Sequence, residues 1–391
     1  MDLSYITNIL GEDRENYFNA VAPPIMQTSN FAFNTIEDLR TALKDESKCS
    51  LYTRGINPTV EILRKKAAAL DEAEDALIFS SGVTAVFMAV FPNVKSGDHI
   101  VSVAKPYSWT TKLFNDLLPR FNVTCTMIDG TKIENFENAI QPNTKIIFLE
   151  SPNTLTFELQ DLEAVAKLAK SKGIITIIDN TYCSPLYQKP YKMGIDLVMQ
   201  TATKYTGGHS DTVAGILCGS SEMIKKIFMS DYLNVGAIIS PFNAWLLLRS
   251  LRTLDLRLKK IFKTTKEVIA AIDGHPAISR LIFPFHPSFP QYELAKKQMG
   301  DAGGLFTMIL NVKEIDQIEK FCEGLKRYLI AVSWGGHESL VFPSCSGFDR
   351  NSFDPSNENH RMVRVYIGLE ESDVLIEDIL QSLNNIKQFS A

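Results

Sequence analysis

Residues 196–211 read DLVMQTATKYTGGHSD, in which a short apolar run leads into a turn rich in threonine, glycine and serine. The turn contains one lysine, Lys204, and lysine side chains are almost never fully buried without a partner. Two interpretations follow from the stretch alone. Either it is an ordinary solvated loop, or Lys204 is a reactive amine beside a site for an anion.

The apolar run before this turn is one of several short apolar segments that alternate with helix-like stretches. They are DALIF (75–79), HIVSV (99–103), VTCTMI (123–128), KIIFL (145–149), GIITIID (173–179), DLVMQ (196–200) and AGILCG (214–219). Strands that alternate with helices predict an α/β fold with a mostly parallel sheet covered on both faces. Residues 243–274 then predict one long helix from their apolar spacing. After it, strands such as GGLFTMILNV and helices such as DQIEKFCEGLKRYL predict a smaller α+β domain.

The composition is that of an ordinary globular protein whose length favours two domains. Of 391 residues, 45% are hydrophobic and 22% are charged, with a net charge of −5, so the electrostatics favour neither nucleic acid nor an anionic membrane. No apolar run approaches the roughly 20 residues of a membrane span, and the acidic start does not resemble a signal peptide. The six cysteines form no C-x-x-C pair, which argues against a zinc knuckle or a disulfide framework. We therefore expect a cytoplasmic protein with no metal site, no membrane and no nucleic-acid partner.

Polar residues follow several predicted strands, at the edge of the sheet where ligands bind in open parallel folds. Ser81 and Gly82 stand between DALIF and an apolar helix, where free backbone N–H groups attract an anion. Asp179 ends GIITIID, and Lys204 follows DLVMQ. Each residue alone has a more common explanation, as a helix cap, a turn residue or a solvated lysine. Together they supply the amine, the carboxylate and the phosphate site that pyridoxal phosphate requires.

Further fragments extend this pattern along almost the whole chain. In order, they are PPIMQTSNF, YTRGINPT, SSGVTA, ESP, DNTY, TATKYTGGHSD, AKKQMGDAGGLF, SWGGHESL and VRVYIGLE. In these fragments and in their order, the chain resembles the Cys/Met metabolism family of pyridoxal-phosphate enzymes. The resemblance implies the type I fold of aspartate aminotransferase, with pyridoxal 5'-phosphate as cofactor. It also implies an N-terminal arm (1–55) that contributes to a neighbouring subunit, a cofactor-binding large domain (56–245), a C-terminal domain with its linking helix (246–391), and a homotetramer of two active dimers.

The resemblance also implies a role for each residue of the expected active site. Lys204 is expected to hold the cofactor as a Schiff base and to move protons, while Asp179 faces the pyridine nitrogen and Tyr107 stacks on the ring. The cofactor phosphate is expected to contact Ser81, Gly82, Val83, Thr201 and Thr203 of the same subunit, and Tyr52 and Arg54 of the neighbouring one. Arg364 is expected to hold the carboxylate of a sulfur amino acid substrate, with Ser333 and Trp334 beside it, and Glu150 to support the site from behind.

Three details of the sequence bear on the bond that is cleaved. In the turn VSWGG, Val332 and Trp334 stand where gamma-type enzymes of the family have Glu and Leu. This SWGG and the segment ESPNTLTFELQD look closest to cystathionine beta-lyases. Trp109 stands where methionine gamma-lyases have a reactive cysteine. We therefore expect beta-elimination from cystathionine or cysteine-like substrates, giving pyruvate, ammonia and a thiol. The alternatives are gamma-elimination, as in cystathionine or methionine gamma-lyase, gamma-replacement, as in cystathionine gamma-synthase, and a non-catalytic binding protein with this fold.

Overall fold

The structure, a computed structural model, describes residues 1–387 and divides into two compact units. The first unit comprises Met1–Pro152, Glu158–Gly207 and Asp211–Thr253. The second comprises Asn153–Phe157, Gly208–Ser210 and the chain from Leu254 onward. The predicted roles of the three segments, above all that residues 1–55 reach a neighbouring subunit, stay predictions.

The first unit is built on a seven-stranded sheet with the order β1-β7-β6-β5-β4-β2-β3. Its strands are β1 (Asp75–Phe79), β2 (His99–Val103), β3 (Thr124–Ile128), β4 (Thr144–Glu150), β5 (Ile175–Asp179), β6 (Leu197–Gln200) and β7 (Gly215–Gly219). Only β7 runs against its neighbours, and the pairs from β6 to β3 are all parallel. The prediction of an α/β fold with a mostly parallel sheet is therefore confirmed.

Helices connect these strands and precede them. They are α1 (Leu3–Asn8), α2 (Ile36–Lys44), α3 (Pro58–Asp71), α4 (Gly82–Val90), α5 (Ser108–Lys112), α6 (Ile133–Ala139), α7 (Leu162–Lys172), α8 (Ser184–Tyr187), α9 (Ser221–Ile227), α10 (Leu233–Val235) and α11 (Pro241–Leu251). None of the helices within residues 1–387 is both long enough and apolar enough to cross a membrane.

Successive residues of the central strands supply two different apolar cores, one on each face of the sheet. Ile177 of β5 belongs to one buried cluster, and Ile178 belongs to the other. In β6, Met199 belongs to the same cluster as Ile177, and Val198 belongs to the same cluster as Ile178. Because side chains alternate between the faces of a strand, a strand buried on both faces must be apolar throughout. This explains why the strands read as largely apolar runs.

The second unit contains a five-stranded sheet with the order β10-β11-β12-β9-β8. Its strands are β8 (Ile278–Ile282), β9 (Leu305–Leu310), β10 (Leu329–Ile330), β11 (Leu340–Pro343) and β12 (Met362–Tyr366), and its helices are α12 (Leu254–Ile272), α13 (Tyr292–Gln298), α14 (Ile315–Glu323) and α15 (Ser372–Lys387). All pairs are antiparallel except β10 with β11. The unit thus mixes strands and helices, as the sequence predicts.

Two helix predictions are wrong in extent. The single long helix over residues 243–274 is two helices, because Thr253 turns the chain by donating its N–H and its hydroxyl to the carbonyl of Ser250 at 3.1 and 3.2 Å. The helix predicted over residues 316–329 ends at Glu323, because the N–H groups of Lys326 and Arg327 donate to the carboxylate of Asp378 at 2.7–3.0 Å. Neither break interrupts the apolar spacing, so the pattern alone does not reveal it.

Candidate active site

The carboxyl ends of β4, β5 and β6 bring polar residues of the first unit side by side. In the sheet register, Glu150 lies opposite Asp179, and Asp179 lies opposite Met199. Thr201 and the turn that carries Lys204 follow directly after β6. The strand ends that the sequence marks as polar therefore meet at one edge of the sheet, as expected for an open parallel sheet.

Asp179 is a buried carboxylate held by the next turn of the chain. It is 6% exposed and accepts a hydrogen bond from the N–H of Thr181 at 2.9 Å and another from the Thr181 hydroxyl. Burial raises the pKa of Asp179, whereas the bonds from Thr181 and the charge of Lys204 oppose the rise. The same hydroxyl accepts a hydrogen bond from the N–H of Thr201 at 2.8 Å. One threonine thus ties the carboxylate to the segment that carries the lysine.

Glu150 is the buried neighbour of Asp179, and it fixes the backbone at Tyr107. Its carboxylate accepts a hydrogen bond of 2.6 Å from the N–H of Tyr107. Burial, followed by the charge of Asp179, raises the pKa of Glu150 well above its ordinary value. Two adjacent buried carboxyls do not both ionise readily, so the pair favours a single negative charge. The Tyr107 side chain is 44% exposed, and burial and these two carboxyls raise its pKa.

The N-terminus of α4 forms a cradle of small groups beside Thr201. Ser81 caps the helix, because its hydroxyl accepts a hydrogen bond from the N–H of Thr84 at 3.1 Å. A Cβ on Gly82 would lie 2.2 Å from the hydroxyl oxygen of Thr201, so only glycine allows this approach. The first N–H groups of a helix have no partner within it and favour anions. Val83, the second helical residue, is 42% exposed.

The turn that carries Lys204 is fixed by backbone hydrogen bonds. The N–H of Lys204 donates to the carbonyl of Thr201 at 3.1 Å, and the N–H of Gly207 donates to the carbonyl of Ala202 at 2.7 Å. The hydroxyl of Thr203 accepts a hydrogen bond from the N–H of Ala214 at 3.0 Å. The Lys204 side chain is half-buried. The solvated-loop interpretation fits this rigid, partly buried turn poorly.

Tyr52 and Arg54 lie on the surface of the first unit. Both side chains are exposed, and the Arg54 guanidinium lies 5.4 Å from the centre of the Tyr52 ring. This contact pairs the two residues with each other. Their predicted contact with the phosphate of a neighbouring subunit stays a prediction.

The predicted substrate residues lie together in the second unit. Arg364 on β12 donates long hydrogen bonds to the carbonyl of Ser333, at 3.3 Å, and to the carbonyl of Thr154, at 3.4 Å. Its guanidinium lies 5.2 Å from the centre of the Phe342 ring. Trp334 is only 5% exposed, which makes it a core residue of this unit. Ser333 has a left-handed backbone with φ of 75°, which is uncommon outside glycine.

Comparison with known proteins decides what this arrangement is. The family profile described as Cys/Met metabolism PLP-dependent enzyme matches residues 7–384. The chain belongs to this family. Its cofactor is pyridoxal 5'-phosphate, and the protein is a PLP-dependent lyase of sulfur amino acid metabolism.

Individual relatives cover nearly all of the chain. An L-methionine gamma-lyase of Treponema denticola is 36% identical over 95% of this chain and 94% of its own length. A cystathionine gamma-lyase of Bacillus subtilis is 33% identical over 86% of this chain and 89% of its own length. The crystal structure of metB from Corynebacterium glutamicum has a TM-score of 0.91 and 31% identity, covering 99% of this chain and 98% of that one. The chain therefore has the type I fold of these enzymes.

The residues of the first unit fit pyridoxal 5'-phosphate. A phosphate suits the N-terminus of α4, where Gly82 allows the Thr201 hydroxyl to approach the start of the helix. A protonated pyridine nitrogen suits Asp179, because a cation beside a buried carboxylate offsets the burial that raises its pKa. The charge of Lys204 lowers the pKa of this carboxylate, which is consistent with an amine at the same site. The cofactor-binding and catalytic roles predicted for individual residues nevertheless stay predictions.

Sequence reasoning missed three residues that organise these groups. Thr181 links Asp179 to Thr201, and the DNTY fragment contains it without revealing this double contact. Phe342 supports the Arg364 guanidinium, which the register of β11 with β12 would reveal only once the sheet is known. Asn153 builds the loop whose carbonyl meets Arg364. Its position directly after ESP was the available signal.

Proposed function

We propose that this enzyme cleaves the bond between sulfur and the gamma carbon of a sulfur amino acid, giving 2-oxobutanoate, ammonia and a thiol. The similarity over nearly the whole chain to proteins named L-methionine gamma-lyase and cystathionine gamma-lyase carries this proposal. It replaces beta-elimination, the expectation from the sequence, as the preferred reaction.

The proposed roles of the chain's own residues follow from their positions. Lys204 would hold the cofactor through its amine and would carry protons between carbon atoms of the substrate. Asp179 would hold the cofactor nitrogen in its protonated form, and Thr181 orients this carboxylate by donating two hydrogen bonds to it. Tyr107, at a backbone position fixed by Glu150, would pack against the cofactor. The bound cofactor supplies the electron sink that makes the substrate alpha proton acidic.

Substrate binding is assigned to Arg364. A planar guanidinium matches a carboxylate in a bidentate contact. Within the described chain, no acidic side chain forms an ion pair with Arg364, and burial lowers its pKa to about 10. Arg364 is half-buried, and a partly desolvated cation without a counter-ion is costly, so a substrate carboxylate gains by supplying the missing charge.

Beta-elimination is the second candidate, and the VSWGG turn favours it. Val332 stands where gamma-type enzymes have a glutamate, and its side chain is 73% exposed. An alkyl group cannot accept a hydrogen bond from the distal amine of cystathionine. If substrate orientation depends on that contact, the gamma carbon is less favoured here.

L-cystathionine distinguishes the two reactions, because each breaks a different bond of the same molecule. Gamma-elimination gives 2-oxobutanoate, ammonia and cysteine, whereas beta-elimination gives pyruvate, ammonia and homocysteine. We expect 2-oxobutanoate from the purified holoenzyme, with L-methionine tested in parallel. Pyruvate as the main keto acid would overturn the proposal in favour of the second candidate.

The Lys204→Ala variant tests the assignment of the lysine and the non-catalytic alternative. We expect loss of keto-acid formation and loss of the visible absorbance of cofactor linked to lysine. Unchanged absorbance in this variant, or an inactive wild-type protein with no such absorbance, would count for a binding protein without catalysis.

Tyr52 and Arg54 are proposed to complete the phosphate site of a neighbouring subunit, in a homotetramer of two active dimers. Their exposure on the first unit supports this assignment. Arg54→Ala and Lys204→Ala should each be inactive, and refolding them together should restore part of the activity in mixed dimers. Activity that stays absent in the refolded mixture, where mixed dimers are demonstrated, would contradict the shared site.

A further inference from the structure

Arg364 is held by backbone carbonyls rather than by side-chain charges. Its two terminal nitrogens each donate one long hydrogen bond, to the carbonyls of Thr154 and Ser333 at 3.4 and 3.3 Å. A guanidinium has five N–H donors, so in the described chain three of them remain for a ligand. The carbonyls and the Phe342 ring at 5.2 Å therefore set the orientation of the guanidinium without neutralising it.

The Thr154 carbonyl is positioned by the side chain of Asn153. The Asn153 amide oxygen accepts hydrogen bonds from the N–H groups of Leu155, Thr156 and Phe157 at 3.1, 2.9 and 3.0 Å. Its amide nitrogen donates to the hydroxyl of Thr156 at 2.9 Å. Asn153 is only 4% exposed. One buried side chain thus accepts hydrogen bonds from three consecutive backbone N–H groups that lie outside any helix or strand.

This loop needs such support because its backbone is strained. Phe157 has φ of 57° and is completely buried, and a left-handed conformation is unfavourable for a bulky side chain. The N–H of Phe157 is one of the three that bond to Asn153. Without the Asn153 acceptor, we expect the loop to relax and the Thr154 carbonyl to move.

The loop is also attached to the strand beside Arg364. The hydroxyl of Thr307 on β9 donates to the carbonyl of Leu155 at 2.8 Å, and Thr307 lies directly opposite Arg364 in the pairing of β9 with β12. The loop Asn153–Phe157 and the arginine are therefore fixed to one ladder position. The contacts that join Asn153 to Arg364 therefore form a short, contiguous path.

We propose that Asn153 is a positioning residue for substrate recognition, because it holds the Thr154 carbonyl that orients Arg364 towards the substrate carboxylate. The inference rests on the proposed function only in taking Arg364 as the carboxylate-binding residue. It does not depend on whether the enzyme performs beta- or gamma-elimination. Asn153 need not touch the substrate for this role.

The test measures binding of two ligands that differ only in the group that Arg364 recognises. L-Norleucine has a carboxylate and no sulfur leaving group, and L-norleucinamide has a neutral amide in its place. Each is titrated into holoenzyme, and its Kd is read from the change in cofactor absorbance. For Asn153→Ala, we expect Kd to rise about tenfold for L-norleucine, as for a weakened charge-assisted hydrogen bond, and less than about twofold for the amide.

Controls separate positioning from general destabilisation. Asn357→Ala removes an asparagine of the same unit that accepts a backbone N–H in the same way, from Asn359 at 3.0 Å, and should change neither Kd. Asn153→Ser keeps a short acceptor in the loop and should give an intermediate effect. This second variant also serves if Asn153→Ala does not fold. In an Arg364→Lys background, Asn153→Ala should have little further effect, since the orientation of the guanidinium no longer matters.

Each contrary outcome has a definite meaning. Equal loss of both ligands in Asn153→Ala, or an effect that simply adds to that of Arg364→Lys, would make Asn153 a structural residue and overturn the inference. If Arg364→Lys itself weakens both ligands equally, the carboxylate role of Arg364 fails and the inference fails with it. The keto acid formed from L-cystathionine is a separate result, so an error in the proposed reaction is recognised independently.

Discussion

A buried carboxyl at the end of α3, bonded to the end of β6, makes the stability of this enzyme depend on pH near neutrality. Asp71, the last residue of α3, is fully buried, and it accepts a hydrogen bond from the side chain of Gln200 at the end of β6. Burial raises the pKa of Asp71 from 3.8 to about 7, although Gln200, the Cys218 thiol and the charge of Lys189 oppose the rise. The variant Asp71→Asn replaces the carboxyl with a neutral amide of almost the same shape.

The size and sign of the effect follow from linkage. Between pH 4 and pH 7, the folded protein keeps a proton on Asp71 that the unfolded chain has released, so the free energy of unfolding falls as pH rises. At about 1.4 kcal/mol for each tenfold change in the ionisation constant, the full effect is about 4 kcal/mol. Roughly 2.5 kcal/mol of it lies between pH 5 and pH 8. Above the folded-state pKa of about 7, this group adds no further slope.

Urea unfolding of wild type and Asp71→Asn at pH 5 and pH 8 measures this effect. The free-energy difference between the two proteins should shift by roughly 2.5 kcal/mol in favour of the variant on going from pH 5 to pH 8. Asp116→Asn, which removes an exposed carboxyl, controls for the change in net charge. Parallel pH dependence in wild type and Asp71→Asn would refute the reasoning, because Asp71 would then ionise alike in the folded and unfolded chains.

Three further substitutions test other parts of the first unit. Glu12→Gln should destabilise the protein by about 3–5 kcal/mol in urea unfolding, because it leaves the buried Lys66 amine, now 3.1 Å from Glu12, without its carboxylate; a loss below about 1 kcal/mol would contradict this. Gly82→Ala should weaken cofactor binding by about ten- to a hundredfold in an absorbance titration, because its Cβ would overlap the hydroxyl of Thr201; unchanged affinity would show that the cradle adjusts freely. Asp179→Asn should lower kcat at least about a hundredfold with the cofactor still bound, and wild-type turnover would remove Asp179 from the mechanism.

The large sheet was predictable because its strands are buried on both faces. Ile177 and Ile178 belong to different cores, which leaves a continuous apolar run that ends at a polar residue. The same patterning does not record where a helix breaks. Thr253 turns the chain within an unbroken apolar stripe. The carboxylate of Asp378, more than 50 residues later in the chain, binds the N–H groups of Lys326 and Arg327, which therefore do not continue α14. Such breaks depend on tertiary partners that a local pattern cannot contain.

The positions of the candidate site residues at strand ends were predictable for a related reason. Lys204, Asp179 and Ser81 follow apolar runs, and parallel topology brings the carboxyl ends of strands together. The residues that orient these side chains were not predictable from the sequence, because their roles depend on contacts between distant segments. Phe342 reaches Arg364 only through the pairing of β11 with β12. Likewise, the predicted role of the exposed Tyr52 and Arg54 in binding phosphate requires a second subunit.

The position of β7 in the large sheet has a consequence for synthesis on the ribosome. β1 spans Asp75–Phe79, and its partner is β7, Gly215–Gly219, which also lies between β1 and β6. About 140 residues must be translated between the two strands, which takes roughly 7–30 s at about 5–20 residues per second. Throughout this interval β1 lacks its strand partner β7, and β6 lacks β7 from its own synthesis at Leu197–Gln200 onward. Nascent chains stalled before residue 215 should therefore bind chaperones that recognise exposed apolar strands, and chains extended past Gly219 should release them.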